Sequence, residues 1–492
     1  MERGKLRLDS AKGKPRGASP EQEGEPQAAE SARGRVPMRV AVADRPVVAM
    51  KPGNAGGAKG TGHPGSVDGQ LPGQEEPPVE PRPKPFAISK QIVWAAYRRV
   101  KANRGAAGVD GESIAEFEGN LKGNLYKLWN RMSSGTYFPP PVRAVEIPKK
   151  SGGAVRVLGV PTVADRIAQT VAAMYLEPKV EPYFHNDSYG YRPGRSAKQA
   201  LERCRERCWK SDWVIDLDIR KFFDTIPHSL IMRAVSKHTQ LKWVLLYVER
   251  WLTAPLQQED GTLTTRDQGT PQGSAISPLL ANLFMHYAFD SWMARQFPDI
   301  GFERYCDDVV VHCVSRRQAE HVRDAIGGRL KECQLEMNLD KTCIVYCKDD
   351  KRRGAHQHIC YEFLGYEFRA RRAKGSDGGY FNGFNPAMSP NAAKRIHEAI
   401  RSWRLGRWTI KTLDELAAWV NPRVQGWINY YGHFYKSVLR PVLRGLNDYL
   451  ARWARRKYKR LSGSRAQAYE FLRRVAAESP NLFAHWRFGM RP

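Results

Sequence analysis

Apolar and polar positions follow a regular period from Phe86 onward, whereas residues 1–85 show none. Val93, Tyr97 and Val100 recur at helical spacing and predict a helix directly after that boundary. Residues 1–85 contain no Phe, Tyr or Trp, and 26 of them are Gly or Pro. Such a stretch cannot bury enough apolar area to offset the entropy of ordering it. We therefore predict a disordered leader over residues 1–85.

Short β-rich runs alternate with helical patterns between residues 86 and 385. Residues 213–218 alternate apolar and acidic side chains, which predicts a strand. Residues 277–289 are rich in Leu, Ala and Phe and predict a buried helix. Residues 302–314 predict two β-branched arms around an acidic turn, and residues 362–368 predict one further alternating strand.

The last 102 residues, 391–492, differ in composition from the rest of the chain. They hold 21 Lys or Arg against six Asp or Glu, together with 16 aromatic residues. We predict helices throughout, with Pro422 and Pro441 at positions where helices start.

Charge and composition narrow the class of protein. The 492 residues carry 79 Lys or Arg against 51 Asp or Glu, a formal charge of +28. Such an excess indicates a polyanionic partner, of which nucleic acid is the commonest. No apolar stretch approaches the roughly 18 residues of a membrane helix, which excludes a membrane-spanning protein. The N-terminus lacks an apolar signal core and the eight cysteines are scattered, so we expect a cytoplasmic protein.

Two cysteine pairs, Cys204 with Cys208 and Cys343 with Cys347, have a spacing that metal sites also use. Neither pair has a convincing His or Cys partner nearby in the sequence, and an i, i+4 pair also fits one face of a helix. We therefore do not expect a zinc site.

Adjacent acids occur in Tyr305-Cys306-Asp307-Asp308, between β-branched arms. Two carboxylates converge only at a tight turn, because neighbours in a strand face opposite ways. About 4 Å apart they repel by roughly 4 kcal/mol at an effective dielectric constant near 20. A bound cation relieves that repulsion, and oxygen ligands favour Mg²⁺. The alternative for this motif alone is a solvated hairpin tip.

Two further segments favour a metal site over a solvated hairpin tip. Residues 216–224 place acids at a strand end before the paired aromatics Phe222 and Phe223, and residues 268–274 form a Pro-Gln-Gly loop that leads into the buried helix. In this order, with the Tyr-X-Asp-Asp turn, they resemble the palm of a reverse transcriptase. The resemblance implies an α+β right-hand polymerase, with fingers and palm built from antiparallel sheet and helices and followed by an all-helical thumb.

The resemblance also implies roles for single residues. Asp218, Asp307 and Asp308 would hold two Mg²⁺ ions for nucleotidyl transfer. Phe223 would lie under the sugar and exclude a ribose 2′-hydroxyl, and Gln272 would hydrogen-bond the incoming nucleotide. We expect the neighbouring acids Asp216 and Asp224 to be solubilising or structural.

Flanking blocks resemble the proteins encoded by group II introns, over roughly residues 90 to 490. The blocks that carry this likeness are residues 105–111, 145–149, 156–166, 188–196, 338–342, 363–365 and the maturase-like 421–431. The resemblance implies that Lys149 and Arg156 grip the triphosphate. It also implies fingers over 86–205, a palm over 206–385 and a helical thumb and maturase region over 386–492.

A basic run near the C-terminus indicates an RNA contact. Six cations within nine residues repel one another unless phosphates neutralise them. Structured intron RNA is the expected ligand, read through shape and backbone. The run consists of Arg452, Arg455, Arg456, Lys457, Lys459 and Arg460.

The predicted function is RNA-directed DNA synthesis on an RNA template from a DNA primer, with dNTPs as substrates, combined with help in intron splicing and mobility. Two alternatives stay open: a domesticated relative in DNA repair or phage defence, and an RNA-binding splicing chaperone whose polymerase has decayed. The chain departs from the family at Cys306, usually Ala, and at Ser274, usually Gly. No Cys/His-rich nuclease module follows Trp486, so we expect none.

Overall fold

The computed structural model describes residues 84–148, 155–375 and 378–492. Nearly all of the predicted leader, and Lys149, therefore lie outside the described residues. The helices that precede the C-terminal region are α1 (Lys90–Asn103), α2 (Ile114–Gly119), α3 (Leu121–Ser134), α4 (Val163–Val180), α5 (Ala197–Cys208), α6 (Phe222–Thr225), α7 (His228–Ser236), α8 (Lys242–Thr253), α9 (Ser277–Met285), α10 (Ser291–Gln296) and α11 (Arg316–Glu332).

Strands and the C-terminal helices complete the described chain. The strands are β1 (Val142–Pro148), β2 (Val155–Val160), β3 (Trp213–Leu217), β4 (Leu256–Gln257), β5 (Leu263–Thr264), β6 (Phe302–Tyr305), β7 (Asp308–Cys313), β8 (Cys343–Tyr346), β9 (Tyr361–Phe363), β10 (Tyr366–Lys374) and β11 (Tyr380–Met388). The C-terminal helices are α12 (Pro390–Ser402), α13 (Leu413–Tyr431), α14 (Lys436–Arg444), α15 (Leu446–Lys457), α16 (Arg465–Glu478) and α17 (Ala484–Arg487). The predicted helical character of residues 391–492 is confirmed.

The central sheet is antiparallel, with strand order β6-β7-β3-β8. The hairpin β6–β7 is the predicted pair of arms around an acidic turn, and β3 is the predicted strand beside it. Leu217 of β3 pairs with Val309 of β7, so the strand end before Asp218 meets the hairpin turn. Two smaller sheets have the orders β2-β1-β4-β5 and β11-β10-β9.

The two faces of the central sheet contact different apolar cores. Ile215 and Val311 belong to a core that extends from Ile88 to Tyr346. Val214 and Val310, one position along each strand, face a second core formed with α5 and β9–β11. The segments predicted as fingers and palm share the first core; the boundaries between them stay predictions. A third core lies within the C-terminal helices.

The predicted single strand over residues 362–368 is wrong, because the chain reverses there. Leu364 and Gly365 adopt positive φ angles of 51° and 79°, which form a tight turn between β9 and β10. Phe363 then pairs with Tyr366 across the turn. Alternation alone does not reveal such a turn, since two antiparallel arms continue the same apolar pattern.

The predicted helix starts at Pro422 and Pro441 are also wrong. Both prolines lie inside helices, α13 and α14. Helix α13 begins after Thr412, whose side chain accepts a hydrogen bond from the backbone N–H of Glu415 while Glu415 bonds back to Thr412. A proline inside a helix costs about 3 kcal/mol, and burial of the apolar face of α13 offsets this penalty.

A buried ion pair holds the central hairpin in place. The side chains of Arg304 on β6 and Asp290 in the π turn after α9 are both fully buried, and two hydrogen bonds of 2.6 Å join them. Arg304 also donates to Asn282 Oδ1 at 3.0 Å, to the Cys306 carbonyl at 2.9 Å and to Ser188 Oγ at 2.8 Å. The guanidinium thus ties the turn to a helix and a loop.

We predict that Asp290→Asn destabilises the chain by about 3–5 kcal/mol, because it leaves the Arg304 charge buried without a counterion. Urea denaturation measures the change. The control is Glu320→Gln, which breaks an ion pair with Arg316 that is exposed at both ends and is worth about 0–1 kcal/mol. Equal destabilisation by the two variants would contradict the assigned role of Asp290.

Candidate active site

Three predicted acids converge at one end of the central sheet. Asp218 follows β3 directly, and the register that pairs Leu217 with Val309 puts it level with Asp308 at the start of β7. Asp307 lies in the turn between β6 and β7. The structure thus brings together the three carboxylates that the sequence separates by about ninety positions.

The hairpin turn has an unusual backbone conformation. Cys306 has a φ angle of 64°, a left-handed conformation that costs a non-glycine residue roughly 1–2 kcal/mol. Its side chain is buried, and Gly190 approaches so closely that a Cβ there would lie 2.6 Å from the Cys306 nitrogen. The carbonyl bond from Arg304 and this close packing fix the turn, so a small apolar side chain such as Cys fits at position 306.

Electrostatic repulsion makes the cluster unfavourable without a cation. Desolvation by the cleft, followed by the charges of Asp307 and Asp218, raises the pKa of Asp308 to about 7, although water reaches its side chain. Burial, followed by the charges of Asp308 and Asp218, raises the pKa of Asp216 to about 7. Burial also raises the pKa of Asp307. These oxygen donors fit a divalent cation of the Mg²⁺ type, which would relieve the repulsion.

Asp216 was expected to be solubilising or structural; its position does not fit a solubilising role, and a structural role stays a prediction. It is half-buried on the central strand β3 and lies close enough to Asp308 and Asp218 for their charges to raise its pKa. Residues two apart in a strand share a face, which places Asp216 beside the cluster rather than at the surface.

A second segment orients Asp218. The Asn338 side chain donates to Asp218 Oδ2 at 2.8 Å, and its backbone N–H donates to the Asp218 carbonyl at 2.9 Å. Lys341 Nζ lies 3.6 Å from the same carboxylate, and the backbone N–H of Asp218 donates to Thr342 Oγ1. No role for Asn338 or Lys341 follows from the sequence pattern; the only signal for these two residues was the family-like block 338–342.

The Pro-Gln-Gly loop brings the predicted nucleotide contacts toward this cluster. Arg156 on β2 hydrogen-bonds the side chain of Gln272, and its charge lowers the pKa of Asp307 against the effect of burial. The Gln272 amide also donates to Asp224 Oδ1 at 3.3 Å. Phe223 is half-buried, and its carbonyl accepts from the Thr270 backbone N–H at 2.7 Å. Arg156, Gln272 and Phe223 therefore lie around one loop beside the acids.

Ser274, the departure from Gly, has a structural explanation. Its hydroxyl donates to Gln169 Oε1 at 2.6 Å, and the Ala275 backbone N–H donates to the same oxygen at 2.7 Å. The Gln169 amide in turn bonds Asp165, which is fully buried and also accepts from Trp251. The loop is thus anchored to the core of the fold.

The basic run divides into exposed and internally bonded side chains. Lys457 donates to the carbonyls of Thr409 at 2.9 Å and Lys411 at 2.8 Å, and Arg455 donates to the Ser462 carbonyl at 2.9 Å. Carbonyl oxygens of the chain itself thus compensate two of the six cations, in place of the phosphates that the sequence led us to expect. The exposed members are Arg452, Arg456, Lys459 and Arg460.

Comparisons with known proteins agree with this geometry. Residues 147–368 match the reverse transcriptase (RNA-dependent DNA polymerase) family, and residues 393–471 match the group II intron maturase-specific domain. Protein YkfC of Escherichia coli K12 is 30% identical over 323 residues, which cover 57% of this chain and 80% of YkfC.

Two relatives encoded by introns match over a shorter region. The group II intron-encoded protein LtrA of Lactococcus lactis is 32% identical over 210 residues, 41% of this chain and 33% of LtrA. A putative COX1/OXI3 intron 1 protein of Saccharomyces cerevisiae is 34% identical over 210 residues, 42% of this chain and 25% of that protein. The matched region therefore spans a third or less of these two longer relatives.

We predict that Mg²⁺ stabilises the chain more at about pH 8 than at about pH 6. Because the folded pKa values of Asp216 and Asp308 are raised, the folded state holds protons that the unfolded state releases between about pH 4 and 7. Stability without metal therefore falls as pH rises through that window, and bound Mg²⁺ restores it. The Mg²⁺-induced rise in Tm should be larger by roughly 2 °C or more at the higher pH.

The control is Asp308→Asn, in which the pH dependence of the Mg²⁺-induced shift should shrink. The Tm is measured with and without Mg²⁺ at each pH. The difference between the two Tm values cancels the contribution of titratable groups that do not face the ion. Mg²⁺-induced Tm shifts of equal size at both pH values in the wild-type protein would show that these acids do not hold Mg²⁺.

Proposed function

The chain belongs to the family of group II intron-encoded reverse transcriptases and maturases. We propose that it synthesises DNA on an RNA template and that Asp218, Asp307 and Asp308 hold the two Mg²⁺ ions of this reaction. The predicted α+β right-hand polymerase and the predicted RNA-directed DNA polymerase class are confirmed by the reverse transcriptase match over residues 147–368. The observation that carries the residue assignment is the meeting of three carboxylates beside Arg156.

Each side chain has a task in this proposal. Polymerases of this family use divalent metal ions, which activate the primer 3′-hydroxyl and neutralise the departing pyrophosphate. The Asn338 amide donates to Asp218 Oδ2, which restrains the orientation of that carboxylate. Asp307 and Asp308 complete the ligand set from the strained turn. The mutual repulsion of the acids favours binding of a cation.

The nucleotide contacts follow from the loop that packs beside the acids. Arg156 and Gln272 bond each other in this structure, and we propose that an incoming dNTP takes over these hydrogen-bonding groups, with Arg156 on the triphosphate. We propose the same contact with the triphosphate for Lys149, and this assignment rests on the sequence alone. Phe223 would restrict the space at the sugar 2′ position, which selects deoxyribonucleotides.

The maturase match supports RNA binding by the C-terminal region. We propose that structured intron RNA is the ligand and that binding assists splicing and mobility. A splicing chaperone with a decayed polymerase fits less well, because the acidic cluster and its orienting residues are intact. A domesticated relative without an intron is distinguished by a splicing assay on the flanking transcript.

We predict that Asp307→Asn lowers primer extension on an RNA template by at least about a hundredfold to a thousandfold, because it removes a charge that the reaction requires. Affinity for the template, measured by filter binding, should stay nearly unchanged. The matched control is Asp299→Asn, an exposed acid in the loop that precedes β6. Synthesis at the unchanged rate in Asp307→Asn would contradict the proposal.

We predict that replacing Arg452, Arg456 and Lys459 with Ala flattens the slope of log affinity against log salt for intron RNA by up to about three units, if each contacts a phosphate. The control is Lys457→Ala, which removes an internal anchor and should lower Tm without flattening the slope. An unchanged slope in the triple variant would assign the exposed cations to a solvated surface.

A further inference from the structure

Three thiols and one imidazole meet in the apolar layer between α5 and the central sheet. Cys204 and Cys208 project from α5, His312 from β7, and Cys347 follows β8. All three thiols are fully buried and His312 is 4% exposed. The sequence did not predict this cluster, because positions 208, 312 and 347 are far apart in the chain. The register of the sheet and the packing of α5 against it bring them together.

Two of the four donors, Cys204 and His312, already lie near each other. The ligand atoms of Cys204, His312 and Glu303 all lie within 4.8 Å of one another. Cys208 adjoins Cys204, because both thiols lie within hydrogen-bond distance of the Tyr361 hydroxyl, and Cys347 belongs to the same apolar core. Zinc–ligand bonds of 2.0–2.3 Å place tetrahedral donors roughly 3.5 Å apart, so binding of the ion would draw the four donors together.

His312 is oriented as a metal-bound histidine usually is. Its Nε2 lies 2.5 Å from Glu303 Oε2, while its buried Nδ1 has no hydrogen-bond partner among the described residues. A carboxylate on the far ring nitrogen fixes the tautomer and the ring orientation of a metal ligand. Glu303 also bonds Arg207, so it supports His312 rather than competing for the ion.

We propose that Cys204, Cys208, Cys347 and His312 together bind one structural Zn²⁺ ion. Thiolate and imidazole ligands in a closed, buried set of four favour Zn²⁺ over the Mg²⁺ that carboxylates prefer. The Tyr361 hydroxyl, 3.1 Å from Cys204 Sγ and 3.3 Å from Cys208 Sγ, supports the two thiolates from outside the set. The ion would fasten α5 to the sheet that carries the catalytic acids.

The test measures metal in the full chain, expressed without a metal-binding tag and passed over a chelating resin. We expect about one zinc ion per chain by mass spectrometry, and intense thiolate-to-metal absorption bands when Co²⁺ replaces it. Cys208→Ser and His312→Gln should each retain less than roughly a tenth of the zinc. The matched control is Cys313→Ser, because Cys313 is the adjacent buried residue and faces the opposite core.

Measurements on the unchanged chain decide the proposal even where a variant fails to fold. A chain without zinc that gives no cobalt bands would overturn it, as would full zinc retention in both Cys208→Ser and His312→Gln. A disulfide that involves Cys204, Cys208 or Cys347, located by peptide mapping of the denatured, metal-free chain, would also overturn it. Zinc content is independent of primer extension, so this proposal and the polymerase proposal fail separately.

Discussion

The placement of the turn that carries Asp307 and Asp308 depends on one buried guanidinium. Arg304 uses its donors on Asp290, Asn282, Ser188 and the carbonyl of Cys306, so a helix, a π turn and a loop all converge on the hairpin. A buried charge of this kind is tolerated only when it is paired and hydrogen-bonded. The left-handed backbone at position 306 is therefore held by contacts outside the turn itself, and the carboxylates that flank it keep their positions despite their mutual repulsion.

That repulsion connects structure to chemistry. Burial, and after it the charges of the neighbouring carboxylates, raises the pKa of Asp216 and of Asp308 to about 7, so that ionising these acids is unfavourable when no cation is bound. The hydrogen bond from Asn338 restrains the Asp218 carboxylate. In the proposed polymerase, oxygen atoms that are already in place would receive the divalent ions, which is the preorganisation that electrostatic catalysis requires.

The sequence predicted those parts of the fold that local pattern determines. The alternation in residues 213–218, the paired arms around Asp307 and the family-like order of motifs identified the central strands and the acids. The turn at Leu364 and Gly365 was not predicted, because two antiparallel arms share one alternating pattern. The continuation of a helix through Pro422 was not predicted, because tertiary burial outweighs the local preference of proline. The cluster of His312 and Cys347 with Cys208 was not predicted, because the register of the sheet and the packing of α5 bring these residues together.

The two metal sites argued for this chain would lie on one face of the same strand. Asp308 and His312 are four residues apart in β7, which corresponds to about 13 Å along an extended strand. Zn²⁺ binds most ligand sets more tightly than ions such as Mg²⁺ do, so a zinc ion at the carboxylates would block catalysis. Separation of the ligand types avoids this: sulfur and nitrogen donors are enclosed in the apolar core, and oxygen donors face the open cleft. A buried zinc ion would then rigidify the sheet at one end, while exchangeable ions act at the other.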